Sequence, residues 1–383
     1  LLSSGSTPIP GSSTINFDEI SKQRVFDSID ATNMSLLRDL REDYNNLKNM
    51  LGRIPMMMDF LEYGSRDPGN FINNKKSYYN FVIGEEHANE FALDRDSVKL
   101  LECFSLHINN KSRIEDSVLL LDLLEEGQVS AYKFKENVHK HVSYYPSDET
   151  LLSCVNSLNF RFHQEKESGN KSKFKPIGEL HGFEIATLRD DVIHIGPTLK
   201  DCIRNEIFTR FLRDNTEYSI KEYMKAYESG EFYDGFILGK TYERKDIFRI
   251  LHWDRNSNSQ EGYVFNKSKT KLPIFVTYKK ASNISDTTRY EDRFISQTHF
   301  EWMSTSGRTV SSPEIKWLQE YSSANRIPLF IKKSQKGDAY YVGDLKPDID
   351  SIEQDSLNGK NVVRVKFSIS PPVEDGLYEY LTG

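Results

Sequence analysis

GFILGKTYER, residues 235–244, decides between two folds. Read as a phosphate-binding loop, Gly235 and the Gly239-Lys240-Thr241 run would open an α/β domain with a nucleotide site. That loop needs four residues between its first glycine and the Gly-Lys-Thr, small enough for backbone N–H groups to converge on phosphate. Only Phe236, Ile237 and Leu238 stand there, all bulky and strand-like. The stretch therefore reads as a β-strand, and it begins a series. FRILHWDR (248–255), GYVFN (262–266), LPIFVTYKK (272–280), RIPLFIKK (326–333), AYYVGDL (339–345) and NVVRVKFSI (361–369) are further short apolar runs between turn residues. One helix is expected within SSPEIKWLQEYSSA (311–324), opened by Ser311, Ser312 and Pro313. Short strands with one helix predict a barrel or curled sheet over residues 230–383.

Upstream the period changes from two to 3.6. Leu37, Leu40, Tyr44, Leu47 and Leu51 recur at helical spacing, with Ser35 as cap and Gly52 and Pro55 as terminators. Phe17, Ile20, Phe26 and Ile29 mark a shorter amphipathic segment before them. PMMMDFLEY (55–63) reads as a helix whose methionines fill core. DSVKLLECFSLHI (96–108) is capped by Asp96, and SRIEDSVLLLDLLEEG (112–127) carries a Ser112/Glu115 capping box and ends at Gly127. SDETLLSCVNSL (147–158) starts at Ser147. NFRFHQ (159–164) and FEIATLRDDVIHIG (183–196) alternate as the two strands of a hairpin, and a last helix runs from Leu199 to Tyr227. Three helices followed by a hairpin resemble a winged helix. The fold class is thus α+β: a polar tail at 1–16, a helical, winged-helix-like region at 17–229, and a β-rich region at 230–383.

At 383 residues, two or three domains are expected. No stretch of about 18 apolar residues offers a membrane span. The start has neither the basic nor the apolar segment of a signal peptide, and it lacks an initiator Met, so a fragment of a longer protein is expected. Cys103, Cys154 and Cys202 are too far apart for a CxxC metal site, and a reducing cytoplasm is the expected compartment. The net charge of −7 hides an asymmetry. Residues 1–230 carry 28 Lys and Arg against 36 Asp and Glu, whereas residues 240–336 carry 18 against 10. Phosphate responds to such a local basic block rather than to total charge.

Catalytic signals are weak. Glu314-Ile315-Lys316 matches half of a nuclease motif, but it stands at a helix start where a surface ion pair is expected. His139 and His141 lack a third ligand nearby. No catalytic residue, metal ligand or cofactor is expected in this chain.

Reading a base needs an aromatic face, a polar group at the base edge, and cations for the phosphates. Residues 242–308 are dense in all three. Tyr263, Tyr278, Tyr290 and Trp302 are the stacking candidates, and Asp292 and Ser304 the edge candidates. Arg244, Lys245, Lys279, Lys280, Arg289, Arg293 and Arg308 are the phosphate candidates. RYEDRFISQTHFEWMSTSGR (289–308) holds seven of these thirteen residues.

The order Tyr242-x-Arg244-x-Asp246-Ile247, Gly262-Tyr263, Ile274-Phe275-Val276-Thr277-Tyr278-Lys279, Tyr290-x-Asp292, Phe300-x-Trp302-x-Ser304, Leu329-Phe330 and Tyr341-x-Gly343 resembles a bacterial C-terminal domain. That domain ends fusions of a phospholipase D-type nuclease with a superfamily 2 helicase. LKNMLGRIPMMMDF (47–60) resembles the helical connector of the same fusions, and residues 1–30 the tail of the motor. Where the family often has Gln after the Ser of the Trp-x-Ser element, this chain has Thr305. Some of these fusions are ATP-driven type IV restriction endonucleases of the SauUSI kind, which cut DNA containing 5-methylcytosine or 5-hydroxymethylcytosine. The resemblance implies a target-recognition region with an SRA- or PUA-like barrel that flips the modified base. Its partners would be double-stranded DNA and the upstream helicase and nuclease domains, with ATP and Mg²⁺ needed only by that motor. The alternative is an assembly module that dimerises through its helices and binds DNA without preference.

Overall fold

The computed structural model describes residues 38–64, 66–86, 92–167, 173–256, 262–265, 270–277, 292–333 and 339–383. Ser35 and the Phe17–Ile29 segment lie outside the described residues. No helix among the described residues is long and apolar enough to cross a membrane.

The expected 3.6-residue stripes become buried faces. α1 (38–51), α2 (Met57–Tyr63), α3 (Gly69–Lys75), α4 (Tyr78–Glu86), α5 (Arg95–Cys103) and α6 (Ile114–Glu126) share one core with the long helix described below. Leu40, Tyr44 and Leu47 of α1 and Met56 and Met57 are among its buried members. Two caps differ from expectation. Asp94, not Asp96, accepts the N–H groups that open α5. The expected box on α6 is not formed, because Ser112 donates to Asp246 (3.1 Å) and Glu115 accepts from the Tyr144 hydroxyl (3.0 Å).

After α6 come β1 (Gln128–Ser130), α7 (Ala131–His139), α8 (Asp148–Leu158), the small pair β2 (Gln164–Lys166) and β3 (Phe174–Pro176), and α9 (Ile177–His181). β4 (Ala186–Arg189), β5 (Val192–Ile195), α10 (Pro197–Cys202) and α11 (Glu206–Ser229) complete this half. The sequence α6-β1-α7-α8-β4-β5, with strands ordered β1-β5-β4, is the winged-helix arrangement. Ser147 caps α8 as expected, accepting the Thr150 N–H at 3.1 Å. The pairing of the later strands is not the one expected. Residues 159–164 do not pair with 183–196; β2 pairs with β3, and β4 with β5. The reason is local: the Asn159 amide bonds Ile185 N–H (2.8 Å) and Ala186 C=O (2.7 Å), occupying the edge a strand would need.

The second half contains β6 (Phe232–Tyr233), β7 (Phe236–Ile237), β8 (Thr241–Tyr242), α12 (Arg244–Ile250), β9 (Ile274–Thr277), β10 (Arg293–Ser296) and β11 (His299–Met303). α13 (Pro313–Gln319), β12 (Pro328–Lys332), β13 (Ala339–Pro347), β14 (Glu353–Leu357), β15 (Lys360–Ser370) and α14 (Asp375–Thr382) follow. GFILGKTYER forms β7 and β8, not a phosphate loop. Lys240 is half-buried, donates to Lys111 C=O (2.7 Å), and has its pKa lowered by desolvation to about 8. FRILHWDR, expected as a strand, is the end of α12 and a turn. Only a helix puts Asp246 and Arg249 on one face, where both meet the helical half.

Eight strands form one curled, half-barrel sheet ordered β10-β11-β15-β13-β12-β9, with β14 on β15 and β8 on β13. Among the described strands of this sheet, only β9 and β12 run parallel. Its two ends differ. Near β12 both faces are covered: Leu329 and Ile331 enter a core with α13 and α14, while Phe330 packs with Phe236, Phe248 and Trp253. β12 is accordingly almost continuously buried. β15 alternates instead, with Val363, Val365, Phe367 and Ile369 inward and Lys366 exposed. At Gly343 (φ +127°) a Cβ would lie 3.1 Å from Ser370 C=O, so this crossing of β13 and β15 requires glycine.

The halves are joined by a buried ionic clasp. Arg249 is wholly buried and pairs with Asp116 of α6 (2.8 Å) and Asp246 (2.9 Å), and it donates to His107 C=O (2.6 Å). Arg113 grips the same Asp116 and donates to Arg249 C=O (2.9 Å). The exposed side of α8, the recognition helix of an ordinary winged helix, is occupied too. Thr150 meets His252 (3.2 Å), and Asn156 donates to Asp254 C=O (3.0 Å).

Candidate nucleic-acid interface

Within the stretch 289–308, residues 293–303 form the hairpin β10–β11. Alternation sends Phe294, Phe300 and Trp302 into the core and leaves Arg293 and His299 exposed. Cross-strand register then aligns side chains from distant parts of the chain. Arg293 stands opposite Glu301, which stands opposite Lys366; His299 stands opposite Ser368, which stands opposite Lys346; Met303 is opposite Arg364. The solvent-facing side of this half of the sheet thus carries Arg293, His299, Lys346, Arg364 and Lys366. Glu301 is met by Arg293 (2.8 Å) and more distantly by Arg364, which also pairs with Asp355. Lys346 and Lys366 are exposed and make no ion pair with a described residue. A basic face of this kind suits phosphate contact.

The predicted base-binding residues do come together, but inside the fold. Trp302 is 2% exposed and packs edge-on against Tyr263, with ring centroids 5.3 Å apart. The Tyr263 hydroxyl donates to Glu314 (2.8 Å) and sits 3.1 Å from Thr305. Burial pushes this phenol up to about 12, with Thr305 opposing and Glu314 adding to the rise. Asp292 accepts the Met303 N–H at 3.0 Å, and Ser304 exchanges two 2.9 Å bonds with Val363. In this structure Tyr263 and Trp302 offer no ring face to solvent, and Asp292 and Ser304 secure the end of β11. Tyr278 and Tyr290 lie outside the described residues.

The phosphate candidates divide. Arg293 is on the basic face. Arg308 is partly exposed and pairs with Glu314 (2.9 Å); the ion pair expected for Glu314 is thus present, but with its carboxylate buried. Arg244 lies over Phe275 at 3.8 Å, and Lys245 pairs with Glu243 (2.9 Å) and reaches Leu106 C=O (3.5 Å). Lys245 thus belongs to the junction with the helical half, whereas Arg244 packs on rings of the β-rich half. Lys279, Lys280 and Arg289 lie outside the described residues. His299, Lys346, Arg364 and Lys366 were missed; the i, i+2 spacing of Arg364 and Lys366 in NVVRVKFSI was the available signal. Among the described residues, no group of three His, Cys, Asp or Glu side chains could hold a metal ion.

No curated protein matches this chain. Among solved structures, a chain described as "Crystal structure of SUVH5 SRA-fully methylated CG DNA complex" is similar over 36% of this chain and 91% of that chain. The identity is 11% and the TM-score 0.25. Two family profiles match side by side: a domain of unknown function (DUF8090) over residues 40–226, and a domain of unknown function (DUF3427) over residues 236–381.

Proposed function

We propose that this chain binds double-stranded DNA through the outer face of β10, β11, β13 and β15, as the target-recognition region of a modification-dependent restriction enzyme. One observation carries the DNA contact. The uncovered half of the sheet aligns Arg293, His299, Lys346, Arg364 and Lys366 on one side, two of them lysines without a described acidic partner. Preference for 5-methylcytosine or 5-hydroxymethylcytosine, and an ATP-driven motor upstream, rest on the sequence resemblance. With Tyr263 and Trp302 held in the core, Tyr278 and Tyr290 are the remaining ring candidates for an extruded base. The chain itself is proposed to be non-catalytic.

Fluorescence anisotropy with matched duplexes tests both levels. Replacing Lys346 and Lys366 together with Ala should lower the slope of log K against log salt by about 2. A methylated duplex should bind about tenfold more tightly than its unmethylated twin, the discrimination one methyl group supplies. Equal affinity for the twins with a steep salt slope would leave an assembly module that binds DNA without reading it. An unchanged slope in the double variant removes the sheet face from the interface.

A further inference from the structure

The seam between the two halves sets opposite charges against each other. The β-rich half brings Lys240, Lys245 and Arg249, members of the basic block at 240–336. The helical half, acidic overall, meets these cations with oxygen atoms. α5 runs on into a π-helical turn, Phe104–Ile108, where the carbonyls of Leu106 and His107 accept from Lys245 (3.5 Å) and Arg249 (2.6 Å). The Lys111 carbonyl accepts from Lys240 (2.7 Å), and the Asp116 carboxylate pairs with Arg249 (2.8 Å). A carboxylate and the negative end of a helix supply here the kind of contact that phosphate oxygens would make.

Three observations mark this seam as releasable. The first is that the apolar cores hardly cross it. Among the described residues, one buried cluster lies within 40–223, a second within 263–381, and the third within 236–341 apart from Phe162. A polar interface between halves that each keep a core permits relative motion. The second is that closure leaves polar atoms unsatisfied on both sides. The stacked rings of His107 and His163 (4.4 Å) bury Nδ1 and Nε2 respectively without a hydrogen-bond partner, as Trp253 Nε1, Asn256 Oδ1 and Arg249 Nε are buried. Water would bond each of them if the halves parted. The third is strain in the turn that crosses α8: His252 has φ +61°, uncommon for a residue other than glycine.

We infer that the helical half is a releasable cover: it occupies a second phosphate-binding surface of the β-rich half, formed by Lys240, Lys245 and Arg249, and double-stranded DNA displaces it. The inference rests on the chain binding DNA and adds a surface separate from the sheet face. A ligand opens a closed form only by binding the open one better. Phosphates meet that condition, because they reach the three cations only after Asp116 and the carbonyls have withdrawn. Arg249 keeps Asp246 of its own half at 2.9 Å, so its guanidinium stays oriented when Asp116 leaves.

Hydrogen–deuterium exchange of the full chain with and without a short duplex reads the cover directly. Exchange at 104–112 and 251–256 should rise about tenfold on binding, while β15 becomes protected. Lys245→Ala should lower the slope of log K against log salt by about 1. Asn156→Ala removes the bond to Asp254 C=O across the seam and touches no proposed phosphate contact. It should tighten DNA binding about fivefold, since the closed form loses one hydrogen bond and the open form none. Protection of β15 without faster exchange at the two seam segments overturns the cover and leaves the sheet face standing. An unchanged slope in Lys245→Ala, or no gain in affinity in Asn156→Ala, overturns it as well. Absence of DNA binding in the parent and in Asn156→Ala overturns both the cover and the DNA-binding reading.

Discussion

Arg249→Met should uncouple the two halves of the molecule. The guanidinium is wholly buried between two carboxylates, Asp116 at 2.8 Å and Asp246 at 2.9 Å, with Asn110 Oδ1 also at 2.8 Å. Methionine fills much of the same volume but leaves both carboxylates short of charge at a buried position. Removing one member of a buried ion pair costs about 3–5 kcal/mol, most of it the desolvation of the charge left behind. Arg113 still holds Asp116, and Asn110 and Ser112 still reach Asp246, which favours the lower end of that range. With a urea m-value of about 2 kcal/mol/M, the midpoint should fall by about 1.5 M. Trp253, Trp302 and Trp317 all lie in the β-rich half, whereas far-UV circular dichroism is dominated by the helical half. Urea titration followed by both signals should give coincident transitions for the parent. In the variant the fluorescence transition should come first and separate from the other. Added salt should not restore coincidence, since a buried pair is poorly screened. A midpoint within about 0.3 M of the parent, with the signals still coincident, would refute the clasp as the coupling element.

Trp302→Ala should cost about 3–5 kcal/mol by emptying the space beside Tyr263 and Phe367, lowering the fluorescence-monitored midpoint for the β-rich half. A near-parental midpoint with lost DNA binding would instead assign the ring to a ligand site. Asp122 is buried, with one oxygen held by Asn137 (2.8 Å), and burial raises its pKa from 3.8 to about 7. A raised folded pKa means stability is full below the unfolded value and is lost as pH rises from about 4 through 7. Asp122→Asn should therefore stabilise the protein by about 2 kcal/mol at pH 8 and by little at pH 4, read from urea midpoints at the two pH values. An equal effect at both would show that Asp122 is not the titrating group.

Local sequence determined the element types wherever one period dominated. The stripe of Leu40, Tyr44 and Leu47, the Ser147 cap on α8 and the alternation in NVVRVKFSI each express contacts made within a few residues, so they were readable along the chain. The three bulky residues after Gly235 likewise excluded a phosphate loop without any tertiary information. Partnership across the fold was not readable in this way. Ser112 and Glu115 match a capping box, yet stronger demands from Asp246 and Tyr144 take them away. Asp292 and Ser304 resemble groups waiting for a base, and only the pairing of β11 with β15 reveals that backbone N–H groups already claim them. A tryptophan in an alternating strand has two faces available, and only the packing of α13 and Phe367 against one of them turns Trp302 inward. The lysines at 346 and 366 become neighbours on one surface because β13 and β15 pair in a particular register. That register is settled by the whole sheet burying its apolar side, a cooperative choice that no short window of residues contains.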